Sequence, residues 1–326
     1  MKAKKSSFPH NAISSQSGFT LLEVLIASVL GLVVLGAFFK LYLLDVKVSL
    51  EAKQALARED ELRFVHLTLQ RAVQGAGFRG WCGGKEGLID RALLPKVNHF
   101  PAPLIAYTRA DLKKADAYMK DGVSRPLSDV LFVEAMDNDA EPLRVFPQNG
   151  DEDLNLSNMK NIEKGDFMML ADCQQVSIFP VLSKRRGRVQ HMDENLGIYG
   201  FPEVPTAPAL VGHFVQKAYY LGHIKEGEKE GGKQAIMVKE FKSNYYQKEP
   251  PGAEALMVGV NSFEMTFAER TLNGVAWRKA KSVSSWHQVL GVKFEILLPP
   301  IIPGKPEEKV EYIFAKRNGI AAPRLP

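Results

Sequence analysis

The sequence FTLLEVLIASVLGLVVLGAFF, residues 19–39, decides the class of this protein. In this apolar run of 21 residues, Glu23 is the single charged side chain. At a rise of about 1.5 Å per residue, a helix of this length spans the roughly 30 Å hydrocarbon core of a bilayer. The stretch before it contains three lysines and no acid, which favours a cytoplasmic N-terminus. The sequence therefore predicts a membrane helix, with the rest of the chain on the far side.

An ordinary secretory signal peptide is the alternative interpretation of this run. The apolar core of such a signal is usually about 7 to 15 residues long and ends in an A-x-A-like cleavage site. The run here is longer, and its end, Ala37-Phe38-Phe39, is a poor cleavage site. A spanning helix is therefore favoured.

Glu23 is the anomaly in this helix, because a carboxylate within a membrane costs about 3 kcal/mol even on lenient insertion scales. The surrounding string SGFTLLEVLIA, residues 17–27, resembles the prepilin signal of type IV pilin-like precursors. That resemblance implies cleavage after Gly18, methylation of the new N-terminal Phe19, and a role in assembly for Glu23 as the fifth mature residue. The new α-amine would lie four residues from Glu23 on the same helix face, so the two charges neutralise each other within a subunit or between neighbours.

The helical pattern continues beyond the membrane run, and no proline occurs between Pro9 and Pro95. Apolar residues recur at three- and four-residue steps or their sums at Leu41, Leu44, Val48, Ala55, Leu62, Val65, Leu69 and Val73. This predicts one helix of about 56 residues whose second half packs on a globular domain. The following GAGFRG, residues 75–80, matches GxGxxG but has no strand before it, so it is interpreted as a helix stop and not a dinucleotide site.

Beyond residue 85 the chain has short apolar segments separated by turn signals, which is typical of an antiparallel sheet. Strands are predicted at residues 129–135, 166–171, 174–181, 213–221, 235–241, 262–268, 289–298 and 309–315. The clearest alternating residues, expected to face the helix, are Phe263, Met265, Phe267, Val292, Phe294, Ile296 and Leu298. Residues 202–208, 225–233 and 299–306 are predicted loops.

Four further segments are similar to minor pilins of the PilW type: AGFRGWC (76–82, with an extra Trp81), LADCQQVSIF (170–179), LMVGVNSFEM (256–265) and FAKRN (314–318). No segment between residues 83 and 165 matches. The resemblance implies an α+β pilin-like fold, with a long N-terminal membrane-spanning helix packed on an antiparallel β-sheet domain. The expected organisation is a leader at 1–18, a transmembrane and fibre-core helix at 19–39, its amphipathic extension at 40–76, and a periplasmic α+β domain at 77–326.

The function implied by this resemblance is structural and not enzymatic: a minor pilin that helps prime assembly of, or caps, the type IV pilus, in support of twitching motility, adhesion or DNA uptake. Expected partners are prepilin peptidase, other minor pilins, the major pilin, the inner membrane and a tip adhesin. The protein is expected in the inner membrane with a periplasmic domain, then in the fibre at the cell surface. The alternatives are a minor pseudopilin of type II secretion and a DNA-binding competence pilin.

Catalytic and metal motifs are missing from the sequence. It contains no GxSxG, HExxH or P-loop, and its seven histidines are scattered, so no catalytic residue, metal or cofactor is predicted. Calcium is considered at the acidic positions Asp137, Asp139, Glu141, Asp151, Glu152 and Asp153. They lack the glycine and distal glutamate of an EF-hand, which favours a solvated loop.

The net charge of +5 arises mostly before the membrane run. Of the 42 Lys and Arg, three lie in the leader, which leaves 39 against 37 Asp and Glu, so general attraction to DNA is not expected. The densest basic run is Lys184-Arg185-Arg186-Gly187-Arg188. It is a candidate nucleic-acid contact, but the lack of interleaved aromatic residues favours a solvated turn.

Cys82 and Cys173 are the only cysteines, and they lack the CxxC spacing of a redox or zinc site. In an oxidising compartment thiols pair by default. A disulfide between the two is therefore predicted if this part of the chain is periplasmic.

Overall fold

The computed structural model describes residues 20–78, 89–90, 100–114, 123, 126–137, 140–143, 153–156, 161–171, 175–185, 187–191, 209–224, 232–241 and 252–317. The chain forms two compact units, residues 1–56 and 57–326. The α-helix of the described residues, α1, runs from Leu21 to Gly75 and has 55 residues. The predicted continuous helix is thus confirmed.

The strands in chain order are β1 (Ile89–Asp90), β2 (Leu104–Tyr107), β3 (Val130–Met136), β4 (Glu141–Pro142), β5 (Leu154–Asn155), β6 (Phe167–Ala171), β7 (Gln175–Pro180), β8 (Ser183–Arg185), β9 (Arg188–Gln190), β10 (Leu210–His223), β11 (Gln234–Glu240), β12 (Glu254–Val258), β13 (Ser262–Thr271), β14 (Gly274–Arg278), β15 (Val289–Leu298) and β16 (Glu308–Ala315). Short 3-10 helices lie at Asp111–Lys114, Ala280–Ser282 and Trp286–Gln288.

The strands form three sheets in the second unit. The largest follows the order β1-β7-β6-β10-β11-β12, with β3 and β4 also paired to β10, and β2 paired to β3. A four-stranded sheet has the order β14-β13-β15-β16, and a three-stranded sheet has the order β5-β9-β8. All the pairings are antiparallel except the two-residue pairing of β1 with β7. One long apolar helix followed by antiparallel sheets confirms the predicted α+β class.

All eight predicted strands are present as β3, β6, β7, β10, β11, β13, β15 and β16. Residues 299–306 form bends and turns without a strand, as predicted. The predicted loop at 202–208, and most of the one at 225–233, lie outside the described residues. The strands that were not predicted are short, and the largest of them are β2, β12 and β14.

The end of α1 packs into the main core of the second unit. Val65, Leu69 and Val73 are fully buried on one face of the helix. The same cluster contains all the predicted inward-facing residues of β13 and β15, namely Phe263, Met265, Phe267, Val292, Phe294, Ile296 and Leu298. Burial of each such side chain contributes about 1.5–3 kcal/mol to the free energy of folding. The alternation in the sequence therefore identified the surface on which this part of the helix lies.

Burial along the predicted helical stripe begins at Leu62, which is half-buried against the core. Leu41, Leu44 and Val48 belong to the first unit and are more than half exposed. Charged residues, Lys40, Asp45 and Lys47, lie among them in the helix. Of the described stripe, the second half, from Leu62 to Val73, packs on the core within the chain.

Strand β3 is buried along its whole length because the large sheet is covered on both faces. Leu131 and Val133 point into the core that contains the end of α1. Val130 and Phe132 alternate with them and belong to a second cluster on the other face. A strand with two buried faces is mostly apolar, which is why this segment shows no polar alternation. Its one charged residue, Glu134, is buried, and its Oε2 accepts hydrogen bonds from Gln216 Nε2 at 2.9 Å and Phe100 N at 3.3 Å.

Candidate processing and assembly site

The start of α1 is fixed by Thr20, the last residue before the helix. Its Oγ1 accepts a hydrogen bond from the Glu23 amide at 3.3 Å, and its carbonyl oxygen accepts from Glu23 N at 3.0 Å and Val24 N at 3.3 Å. A threonine with glutamate three residues later is the sequence pattern of a capping box. The T-x-x-E pattern before an apolar run could have identified this cap from sequence, and it was missed.

Glu23 lies in the first turn of α1, as predicted. A carboxylate there interacts favourably with the partial positive charge of a helix N-terminus. Gly18 and Phe19 lie outside the described residues, so the cleavage position stays a prediction. In the sequence, the Gly18–Phe19 bond is N-terminal to the capping residue and to the whole helix.

The part of α1 before Lys40 has a largely apolar and exposed surface. From Leu21 to Leu50 the large apolar side chains are exposed, with Phe38 at 65% and Phe39 at 64%. By length and composition, α1 is the one helix of the described residues that can cross a membrane. An N-terminal signal sequence meets the same criterion, so the span alone does not identify the class of protein.

The C-terminal end of α1 confirms the interpretation of the glycines at 75 and 77 as a helix stop. Gly77 has a φ of +71°, which a residue with a side chain adopts only with strain. Its amide donates to the Glu134 carbonyl at 2.9 Å, and a Cβ at this position would lie 3.0 Å from Pro103 Cβ. The chain thus passes from the helix directly to β3, and the described residues show a helix before Gly77, where a dinucleotide-binding turn would have a strand.

Cys82 and Cys173 both lie outside the described residues. Their nearest described neighbours share one hydrophobic cluster: Phe78 packs, partly buried, against a group that contains Ala171 and Val176. The Phe78 carbonyl also accepts from the amide of Met136 at 3.1 Å. The residues that precede and flank the two cysteines are therefore held on the same part of the large sheet.

The basic run forms a hairpin, with Arg186 outside the described residues. Lys184 pairs with Val189, Arg185 pairs with Arg188, and Gly187 has a φ of +83°. Arg185 and Arg188 are exposed, and Lys184 Nζ donates to the Ile162 carbonyl at 3.1 Å. Two guanidinium groups face solvent on opposite strands without an aromatic neighbour in the hairpin, which fits a solvated turn better than a stacking surface.

A cleft with a volume of about 500 Å³ lies between β13 and the large sheet. Its charged lining residues are Asp129, Glu264, Lys279 and Lys281. Lys279 and Glu264 form an ion pair at 3.3 Å. Burial raises the pKa of the Asp129 carboxyl, while a backbone hydrogen bond at Arg109 opposes this rise. No group of three His, Cys, Asp or Glu side chains in the described part of the chain is placed to hold a metal ion.

Residues 13–39 match the family model described as Prokaryotic N-terminal methylation motif. No curated protein and no solved structure matches the chain. The matched segment contains the capping Thr20, Glu23 and the apolar first part of α1. The motif supports a type IV pilin-like or pseudopilin protein that is anchored in a membrane, processed by a prepilin peptidase and assembled with other pilins.

Proposed function

We propose that this chain is a minor pilin, a low-copy subunit that helps prime assembly of, or caps, a type IV pilus. The observation that carries the proposal is the methylation motif at residues 13–39, which leads directly into helix α1. A protein of this kind acts by joining a fibre of related subunits. Its expected role is therefore structural, and no step requires a catalytic site or a cofactor.

Processing is the first step of the proposed function. Prepilin peptidase removes residues 1–18 by cutting after Gly18, and the amine of Phe19 is then methylated. The position of the helix start supports this order, because Thr20 caps α1 on the C-terminal side of the bond to be cut. Cleavage thus removes the basic leader and leaves the helix cap intact.

Assembly through Glu23 is the second step. In the hydrocarbon region its carboxylate needs a counter-charge, since an unpaired charge there is costly. The α-amine of Phe19 is protonated at neutral pH and lies four residues away in sequence. Pairing within the subunit or with a neighbouring subunit would neutralise both groups as the helix enters the fibre.

A disulfide between Cys82 and Cys173 is the third element of the proposal. It is supported by the cluster that holds Phe78 beside Ala171 and Val176, since these residues lie close in sequence to the two cysteines. In the chain-entropy model, closing a loop of about 92 residues contributes up to about 4.6 kcal/mol, less any strain. The bond would tie the segment after α1 to the β6–β7 connection.

The size of the second unit favours a tip position over the body of the fibre. A compact unit of the length of residues 57–326 has an expected radius of gyration of about 18 Å. Pilin fibres stack their helices closely along one axis, so a head of this size at every step would crowd its neighbours. At the tip of a fibre this constraint is absent.

Deletion of the gene tests the proposal in the native host. The number of surface pili should fall sharply while the level of the major subunit in the membrane is unchanged, and the full-length gene supplied in trans should restore the pili. If protein secretion is lost while piliation is normal, the chain is instead a minor pseudopilin of type II secretion. If piliation and secretion are normal but DNA uptake is lost, the competence alternative takes its place.

A further inference from the structure

The cleft between β13 and the large sheet is lined by four consecutive residues of β13, namely Ser262, Phe263, Glu264 and Met265. Successive side chains of a strand point to opposite faces of its sheet, so a single face would contribute only alternate residues to the wall of a cleft. The edge of β13, where its backbone groups lie, therefore borders this cleft.

This part of the β13 edge is not covered by another strand. On one side β15 pairs with residues 262–269, and on the other side β14 pairs only from Phe267 onward, because β14 ends at Arg278 and a short 3-10 helix follows it. Within the described ranges, the backbone groups of residues 262–265 have no hydrogen-bond partner on the β14 side. A free strand edge is a template for the addition of an extended peptide.

Another wall of the cleft is the segment before β3, and hydrogen bonds hold it in place. The amide of Leu127 donates to the Leu221 carbonyl at 2.7 Å, and the amide of Leu221 donates to Ser128 Oγ at 2.9 Å. Ser128 Oγ in turn donates to the Asp129 carbonyl at 2.7 Å. This wall is therefore preorganised, so a ligand does not have to order it on binding.

Two charged side chains of the lining, Asp129 and Lys281, form no ion pair within the part of the chain that the structure describes, whereas Lys279 pairs with Glu264 at 3.3 Å. Burial raises the pKa of the Asp129 carboxyl, and the Arg109 backbone and the Lys279 charge oppose this rise only in part. Lys281 is exposed. A neutral ligand would leave both charges uncompensated, whereas a ligand with one positive and one negative group would complement both.

We propose that this cleft binds a short extended peptide with a free ammonium group and a free carboxylate. The peptide backbone adds to the free edge of β13, the ammonium group lies beside Asp129, and the carboxylate lies toward Lys281. Small-molecule sites have volumes of about 300–1,000 Å³, so a cleft of about 500 Å³ takes a few residues and not a folded domain. The inference goes beyond the proposed function, because it adds a ligand-binding activity to a structural subunit.

The test is isothermal titration calorimetry of the full-length protein in detergent, with the tripeptide Ala-Leu-Ala as the probe. Three related probes separate the contributions. The N-acetylated tripeptide lacks the ammonium group, the tripeptide with N-methylated backbone amides lacks the donors for strand pairing, and free leucine lacks backbone amides altogether. Each should bind about tenfold or more weakly than Ala-Leu-Ala, since each loses hydrogen bonds or a charge contact that the site provides. Equal affinity for free leucine would show an amino-acid site and overturn the strand addition.

Asp129→Asn keeps the shape of the side chain but removes its charge, and should weaken binding of Ala-Leu-Ala about tenfold or more. Lys281→Gln should weaken it severalfold, and it cannot act by unfolding the domain because this side chain is exposed. The matched control Lys305→Gln changes an exposed lysine outside the cleft and should leave the affinity unchanged.

No binding of Ala-Leu-Ala, equal affinity for the N-acetylated or the backbone-methylated tripeptide, or unchanged affinity in both cleft variants would overturn the peptide site. None of these results bears on the number of pili in the deletion strain, so the site and the proposed function can fail separately.

Discussion

Glu269 on β13 is a buried carboxylate that holds the segment after β14 in place. Its Oε1 accepts hydrogen bonds from the amides of Ser284 at 2.9 Å and Ser285 at 2.7 Å. Its Oε2 lies 3.0 Å from Arg278 Nε, a charge contact without the alignment of a hydrogen bond. The carboxyl side chain is 3% exposed. This segment also carries Trp286, which packs edge-on against the core residue Phe267 at 5.0 Å between ring centroids.

Glu269→Ala should destabilise the second unit by about 3 kcal/mol. Hydrogen bonds to charged groups contribute about 1.5–3 kcal/mol each, and loss of one partner of a buried pair costs about 3–5 kcal/mol. The lower end of the second range applies because the Arg278 side chain is 38% exposed, so water can hydrate it once Glu269 is removed. At about 2–4 °C per kcal/mol for a domain of this size, Tm should fall by about 6–12 °C.

The matched control is Glu264→Ala on the same strand. Glu264 pairs with Lys279 at 3.3 Å, but both side chains are more than half exposed. Such pairs contribute about 0–1 kcal/mol, so Tm should change little. The assay is thermal unfolding of the full-length protein in detergent, followed by tryptophan fluorescence, with hydrogen exchange of residues 280–288 as a local readout. Equal Tm shifts for the two variants, or unchanged exchange in Glu269→Ala, would refute the anchoring role of Glu269.

Three further predictions concern processing, assembly and covalent structure. Gly18→Val should accumulate precursor that retains the leader, because a β-branched residue obstructs the cleavage position; an intact mass that starts at Phe19 in this variant would contradict it. Glu23→Leu should leave membrane insertion and cleavage intact but reduce co-purification with other minor pilins severalfold, and normal co-purification would argue against charge pairing. Cys82 and Cys173 should resist thiol alkylation until protein expressed in the periplasm is reduced, so labelling of both without reductant would exclude the disulfide.

The helices and strands that could be predicted from sequence are those in which one segment alone shows a clear periodicity of apolar residues. The long apolar helix and strands such as β13 and β15 have periodicities that local sequence shows directly. Strand β2 is a four-residue apolar segment next to prolines, and β14 contains a glycine and two exposed apolar residues. Such segments become strands only because β3 and β13 pair with them. Strand pairing depends on residues that are distant in sequence, so it cannot be predicted from a short stretch of the chain.

In the candidate site, too, contacts between residues close in sequence could be predicted, and contacts between distant residues could not. Glu23 in the first turn was predicted, and the cap by Thr20 could have been, because both depend on residues within one helical turn. The anchoring of Ser284 and Ser285 by Glu269 links positions 15 and 16 residues apart across a sheet. The exposure of Val275 and Trp277 likewise depends on which strand forms the edge of the sheet. Neither could be derived before the topology was known.

The composition of sheared fibres tests the central claim most directly. Targeted mass spectrometry should find the peptide that begins with N-methylated Phe19, at a small fraction of the amount of the major pilin. This result would establish cleavage, methylation and low copy number in one sample. Detection of this chain as the dominant subunit, or with residues 1–18 still attached, would contradict its assignment as a processed minor pilin.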